Sequence, residues 1–314
     1  MKTAVKIVSL AALALALASW IVSPAGSSRP VPEDILTVAT WNMEWFPSGW
    51  PEPRPEKDER ARIEAAAEGL RAQGVPDILV AQEVRDAGVC EAFAGALGAR
   101  HRLSLVSCSD FFYTPTNRSL QQVAIFSRHP AVAAGSEDWV AGDFVFPPRG
   151  FTWAILDVRG ELIAVFGVHL KSNYVPEGKD EKRQAALNRL KRELAARQLV
   201  ERAAEIARTN GWNVGKIILA GDFNTATEDE RYADEKTMRT IYEAGFRDAF
   251  DGIPEKDRPT LPASDRYPAA TFDHIAAKGM GEPFARRVGA FVPVSDHAPL
   301  YAAWRIGAKE KDRF

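Results

Sequence analysis

The sequence is poor in cysteine, with only Cys90 and Cys108 in 314 residues. Neither lies in a Cys-x-x-Cys pair or a His-rich cluster, so a thiolate zinc site is excluded. There is no G-x-S-x-G elbow and no thiol with an activating base, which removes the usual covalent nucleophiles. A P-loop and a dinucleotide fingerprint are absent. So is any internal repeat of solenoid or propeller period. Positive charge is not in excess: 40 Lys and Arg stand against 42 Asp and Glu, a net of −2. No global basic field therefore draws in nucleic acid, although a local patch stays open. What is present is 46% apolar residues and 10% aromatics, enough for a large core and against disorder.

The N-terminus reads as a targeting segment. Lys2 and Lys6 precede an apolar run from Ile7 to about Val22, and small residues follow at Ala16-Leu17-Ala18 and Ser23-Pro24-Ala25. That pattern predicts a secretory signal over residues 1–25, with an uncleaved anchor as the alternative. A secreted or periplasmic location follows. Residues 26–34 read as a linker, 35–306 as one α/β domain without a composition break, and 307–314 as a tail. In an exported chain the two cysteines are expected to pair. Closing a loop of that length would stabilise by about 3 kcal/mol on the chain-entropy view. Two reduced, buried thiols are the alternative.

Strand-like and helix-like runs alternate along the chain. Strands are expected at Leu36–Thr40, Asp77–Ala81, Arg102–Val106, Val123–Ser127, Trp153–Val158, Leu162–Leu170, Lys216–Ala220, Thr271–Ala277, Arg287–Val292 and Leu300–Trp304. Arg159-Gly160-Glu161 reads as a hairpin turn. Helices are expected at Lys57–Arg71 and Asp180–Arg208, the second rich in Lys and Arg. Residues 45–56 and 251–270 read as loops.

Polar residues recur where the apolar strands end. Asn42 and Glu44 follow the first; Gln82 and Glu83 follow the second. His169, Lys171, Ser172 and Asn173 close the hairpin, and Asp222 and Asn224 follow Ile217-Ile218-Leu219-Ala220-Gly221. Asp273 lies in ATFDHIAA, and Asp296 and His297 precede the last strand. Each alone is a common cap or turn residue. Together they describe carboxylates that repel unless a hard divalent cation joins them, and oxygen donors favour Mg2+, with Mn2+ also suitable. His169 and His297 add groups expected to titrate near neutral pH. Such a set suits attack of water on a phosphate ester.

The strings TVATWNMEW at 37–45, LVAQEV at 79–84, VHLKSN at 168–173, LAGDFNT at 219–225, FDHI at 272–275 and SDH at 295–297 carry a resemblance. In that order they resemble the endonuclease/exonuclease/phosphatase superfamily, which includes deoxyribonuclease I and neutral sphingomyelinases. The resemblance implies a four-layer α/β/β/α sandwich of two packed mixed β-sheets with outer helices. It implies Glu83 as the main metal ligand, with Asn42 beside it and Glu44 and Asp296 as further ligands. His297 would be the base that activates water, oriented by Asp273. Asp222 and Asn224 would position nucleophile and phosphate, and His169 would stabilise the phosphate. Lys171, Asn173 and Arg118, with Gln121 and Gln122 near the latter, fall where substrate contacts are expected. The deoxyribonuclease branch pairs its first histidine with an upstream glutamate, and no glutamate occurs here between residues 101 and 130.

The function expected from these residues is an exported, metal-dependent phosphodiesterase, foremost a nuclease, acting as a monomer. A phospholipid or small-molecule phosphoesterase of sphingomyelinase type is the second reading. A non-catalytic binding module with the same fold is the third.

Overall fold

A computed structural model describes residues 34–307, apart from 51, 52, 115 and 266. The expected signal, nearly all of the linker and the tail from residue 308 lie outside the described residues. Strand β1 (Ile35–Phe46) leads through helix α1 (Glu56–Gln73) to β2 (Ile78–Val84), helix α2 (Ala87–Leu97) and β3 (Ser104–Cys108). A small hairpin, β4 (Phe112–Thr114) and β5 (Asn117–Arg118), precedes β6 (Gln122–Ser127). The chain then crosses to β7 (Ala131–Asp138), β8 (Gly150–Val158) and β9 (Glu161–His169), helix α3 (Glu181–Ile206) and β10 (Lys216–Asp222). Helix α4 (Thr237–Glu243), β11 (Arg247–Asp248) and β12 (Asp273–Lys278) follow, and β13 (Ala285–Val288) and β14 (Leu300–Arg305) end the fold.

The strands form two six-stranded sheets, β13-β14-β1-β2-β6-β3 and β11-β12-β10-β9-β8-β7. Each is mixed: β1 runs parallel to β2 and β9 parallel to β10, while the other pairs are antiparallel. Alternation along each strand explains the layers. On β1, Leu36 and Val38 face the second sheet, while Ala39, Trp41 and Met43 pack on α1 and α2. On β10, Ile218 and Ala220 join the inter-sheet core, while Ile217 and Leu219 meet α3 and α4. The result is the four-layer sandwich that the resemblance implies.

The same alternation aims the polar strand ends. Asn42 keeps the parity of Leu36 and Val38, Asp222 that of Ile218 and Ala220, His169 that of Ile163 and Val165, and Asp273 that of Ile275 and Ala277. All four therefore point into the seam between the sheets. Register brings them side by side: Asp222 pairs with His169 on β9 and with Asp273 on β12. Gly221 makes this possible. Its φ is +153°, and a Cβ there would lie 2.0 Å from the Val168 carbonyl oxygen.

Several local expectations need correction. β1 runs on to Phe46, so the polar residues Asn42 and Glu44 lie within the strand and not in a turn after it. The strand expected at Arg287–Val292 is β13, which lies earlier, at Ala285–Val288. Helix α2 gives little sequence signal, being rich in Ala and Gly. It is capped by Asp86, whose carboxylate accepts from the Val89 N–H, and it buries Val89, Cys90, Phe93 and Leu97. β7, AVAAGSED, is an edge strand with five of its eight residues exposed and few β-formers. Cys90 and Cys108 are free thiols here, not the expected disulfide. The neighbouring Cys108 thiol, and then burial, push the Cys90 thiol well up.

A buried ion pair fastens α3 to the segment before α4. Arg192 donates from Nε and Nη2 to the two carboxylate oxygens of Glu235, at 2.7 and 2.6 Å, with both side chains almost fully enclosed. Its Nη1 donates to the Lys171 carbonyl oxygen and to Asn173 Oδ1. Glu235→Ala is expected to destabilise by about 3–5 kcal/mol, because it strands a buried cation. Urea denaturation measures this, and a loss below 1 kcal/mol would show the pair to be dispensable.

Candidate active site

The seam opens at one end onto a cluster of polar side chains drawn from both sheets. Asn42 is its hub: Nδ2 lies 3.2 Å from Glu83 Oε1 and 3.0 Å from Asp222 Oδ2. Its Oδ1 accepts from the Glu44 N–H. Glu83 breaks the alternation of β2 with a φ of +60°. That turn of the backbone swings its carboxylate off the helix-facing parity and onto Asn42 and the Trp45 N–H, 2.9 Å away. Glu44 and Trp45 are also left-handed, with φ of +49° and +48°. Strain of this kind persists only where surrounding contacts hold it. Arg62 of α1 supplies them, donating to the carbonyls of Met43, Glu44, Trp45, Pro47 and Val294.

His297 arrives on the loop before β14. Its Nδ1 is 2.7 Å from Asp273 Oδ2, and its Nε2 faces Asp222 and Asp296, each 4.0 Å away. Ser295 ties this loop to β1, donating to the Asn42 carbonyl oxygen and accepting from the His297 N–H. Trp41 Nε1 donates to the His297 carbonyl oxygen. Burial lowers the affinity of His297 for a proton, but the Asp273 carboxylate, with Asp222 and Asp296, outweighs it and raises the pKa to about 10. The expectation of a group titrating near neutrality is thus corrected upward for the free site.

His169 departs in the other direction. Its Nε2 is 3.7 Å from both Glu83 Oε1 and Asp222 Oδ2, and its Nδ1 is buried without a partner. Burial first, then Arg149, His297 and Lys171, hold its pKa well below the usual range. The side chain is a neutral imidazole near pH 7. Arg149, which no sequence signal marked, is the nearest strong cause after burial. It donates to the carbonyls of His169 and Leu170 at 3.0 and 2.7 Å and to Gln121 Oε1 at 3.0 Å.

The remaining expected residues divide. Asn224, with φ +54°, donates its N–H to Asp222 Oδ1 and belongs to the cluster. Lys171 lies beside it, and burial with Arg149, Lys191 and Arg192 brings its pKa down to about 8. Asn173, which is exposed, donates to the Asn224 carbonyl and Tyr232 and accepts from Arg192, so it also braces the turn. Gln122 is likewise consumed by Ser109, Phe111 and Ser119. Arg118 stands half-exposed on the small hairpin in an ion pair with Asp110 and has no hydrogen bond to the cluster. His274, unassigned from sequence, sits between Asp248 Oδ2 and the Thr225 carbonyl oxygen at 3.1 and 3.0 Å. Both neighbours are acceptors, so both ring nitrogens carry protons, and the Asp248 hydrogen bond and charge raise its pKa against burial.

The carboxylates fit a divalent cation. Burial, then Asp296 and Glu83, raise Glu44. Burial, then Glu83 and Asp273, raise Asp296. Burial and Asp273 raise Asp222 to about 7. Three acids held away from their charged forms mark a place where positive charge would be welcome. Ligand atoms of Asp222, Asp273 and His297 also lie within 4.8 Å of one another. In that trio, however, His297 Nδ1 and Asp273 Oδ2 are already committed to each other. On the other side of Asn42, each Glu83 oxygen takes one donor, from Asn42 Nδ2 and the Trp45 N–H, while in the trio Asp273 Oδ1 is buried without a partner.

Residues 39–297 match the Endonuclease/Exonuclease/phosphatase family. The chain belongs to that family. Members of the family are hydrolases of phosphoester bonds. No curated protein sequence matches this member. Among solved structures, an endonuclease/exonuclease/phosphatase from Beutenbergia cavernae is 20% identical over 87% of this chain and 72% of its own, with a TM-score of 0.61. Truncated TDP2 from Caenorhabditis elegans is 15% identical, covering 86% and 97%, with a TM-score of 0.57. Sphingomyelinase C from Streptomyces griseocarneus is 18% identical, covering 86% and 99%, with a TM-score of 0.56. At these identities the likeness is one of fold.

Proposed function

We propose that this family member is an exported, magnesium-dependent phosphodiesterase that hydrolyses its substrate by direct attack of water. The observation that carries the reading is the His297–Asp273 pair, 2.7 Å apart, aimed at the cluster of Asn42, Asp222 and Glu83. In this reading Asp273 fixes the imidazole through Nδ1, so that Nε2 accepts the proton of the attacking water. Asn42 and His169 donate to non-bridging phosphate oxygens, and Lys171 faces the negative charge. Asp222, with a pKa of about 7, hands a proton on at the leaving oxygen. Glu83, Glu44, Asp296 and Asn42 would hold the cation, which supplies Lewis-acid stabilisation of phosphoryl charge when bound.

Substrate choice is where the two enzyme readings part. Of the basic helix α3, Arg192 is buried against Glu235 and Arg202 is paired with Glu137 and Glu205, which weakens the case for nucleic acid. Lys171 and Lys191 near the site keep that reading in play. A panel of plasmid DNA, RNA, sphingomyelin and bis-p-nitrophenyl phosphate, each with magnesium or EDTA, tests both levels. Cleavage only with magnesium supports the chemistry. Hydrolysis of none of the four would leave a binding module with the same fold.

A further inference from the structure

The segment between β7 and β8 carries exposed apolar side chains that folding does not require. Phe144 is 95% exposed, Val140 70% and Phe146 65%. The base of this loop is firmly held. Trp139 packs on Phe151 with ring centroids 5.2 Å apart. The Gln198 side chain of α3 bonds both backbone groups of Val140, at 2.8 and 2.7 Å. The tip is closed by two backbone hydrogen bonds between Gly142 and Val145. Its central residues, Asp143 and Phe144, have φ of +51° and +62°. A two-residue turn of that hand favours Asn-Gly or Asp-Gly, and a bulky side chain there is disfavoured. This chain places phenylalanine at the costliest position and buries none of it. The loop returns through Pro147 and Pro148 to Arg149, on the wall of the active site.

A second aromatic projection meets the same arginine. The β4–β5 hairpin exposes about half of Phe112 and Tyr113. The Tyr113 hydroxyl donates to Gln121 Oε1, which also accepts from Arg149. Between residues 140 and 148 there is no Lys or Arg; the one charge is Asp143, and the whole chain is net negative. A nucleic-acid backbone or an anionic membrane calls for cations at the contact. The flanking hairpin holds one cation, Arg118, and it is paired with Asp110; an apolar loop tip with no cation of its own suits the headgroup–acyl boundary of a neutral lipid surface. No helix among the described residues is long and apolar enough to cross a membrane.

We propose that loop 140–146, flanked by the β4–β5 hairpin, docks the active site on a zwitterionic phospholipid surface and presents headgroup phosphodiesters to it. The proposal rests on the phosphodiesterase reading above, and its test separates the two. The full chain and its Phe144→Ser/Phe146→Ser variant are assayed with magnesium on three substrates: bis-p-nitrophenyl phosphate, a short-chain phosphatidylcholine below its micellar concentration, and phosphatidylcholine–sphingomyelin vesicles. Phe144→Gly serves as a fold control, since glycine suits the turn. The expected result is a vesicle rate at least tenfold lower in the double variant, with both soluble substrates within twofold and the melting temperature unchanged. Equal vesicle rates in variant and parent overturn the docking surface. So does a parent rate that rises on phosphatidylglycerol vesicles and falls on neutral ones. Failure of the parent to cleave any of the three substrates overturns the phosphodiesterase reading instead.

Discussion

His297→Ala is expected to lower kcat by about 10²–10⁴-fold, the usual contribution of a positioned general base. Substrate affinity should change far less, because Asn42, Glu83 and Lys171 stay in place. Asp273→Asn should cost nearly as much, since the amide turns one face of its hydrogen bond with His297 Nδ1 and withdraws the charge that raises the imidazole. The pH dependence follows with a definite sign. An imidazole raised from about 6.5 to about 10 is protonated at neutrality in the free site, and only the neutral form accepts a proton. The rate should therefore climb with pH above 6.5, and a bound cation should move that limb toward neutrality. For stability the direction is opposite. The pair contributes fully below pH 6.5, and the contribution is lost as pH rises through about 10. A pH–rate profile of parent and Asp273→Asn measures the first, and urea denaturation across the same pH range measures the second. A limb unmoved by the substitution would remove His297 from the role of base.

The second large effect concerns the cation. Magnesium at about one hundred times its Kd should stabilise the fold by about 2.7 kcal/mol, through preferential binding to the native state. For a domain of this size that corresponds to a rise of about 5–10 °C in Tm. Glu83→Ala should abolish the rise and the activity together. Thermal unfolding with magnesium and with EDTA gives the answer without any substrate. A Tm equally responsive to magnesium in parent and Glu83→Ala would move the cation to the Asp222 side of the cluster.

Much of the site was legible because strand parity is legible. Once Leu36 and Val38 are read as one face of β1, Asn42 follows on that face, and the same arithmetic places His169, Asp222 and Asp273. Glu83 does not obey it. It reaches the cluster only through a left-handed backbone that a strand pattern does not announce. Arg149 was hidden for a related reason. It sits in a loop after Pro147-Pro148, and its importance comes from the carbonyls of His169, at the end of β9, and of Leu170 just beyond it. Asn173 carries a role that its motif does not announce, bracing the turn through the Asn224 carbonyl and Arg192. Charge environment was the least legible of all. The two site histidines look alike in sequence, yet Asp273 raises the proton affinity of one, while burial and Arg149 hold the other neutral.

The path of the chain through the sheets sets an order of events. The first sheet opens with β1, yet it is completed only by β13 and β14 at the far end of the described chain. Asp296 and His297 lie immediately before that last strand. Every other member of the cluster is already synthesised when they emerge from the ribosome. On the proposed reading the centre is therefore completed only by the final strand insertion, and a C-terminally clipped chain would lack the residue assigned as its base.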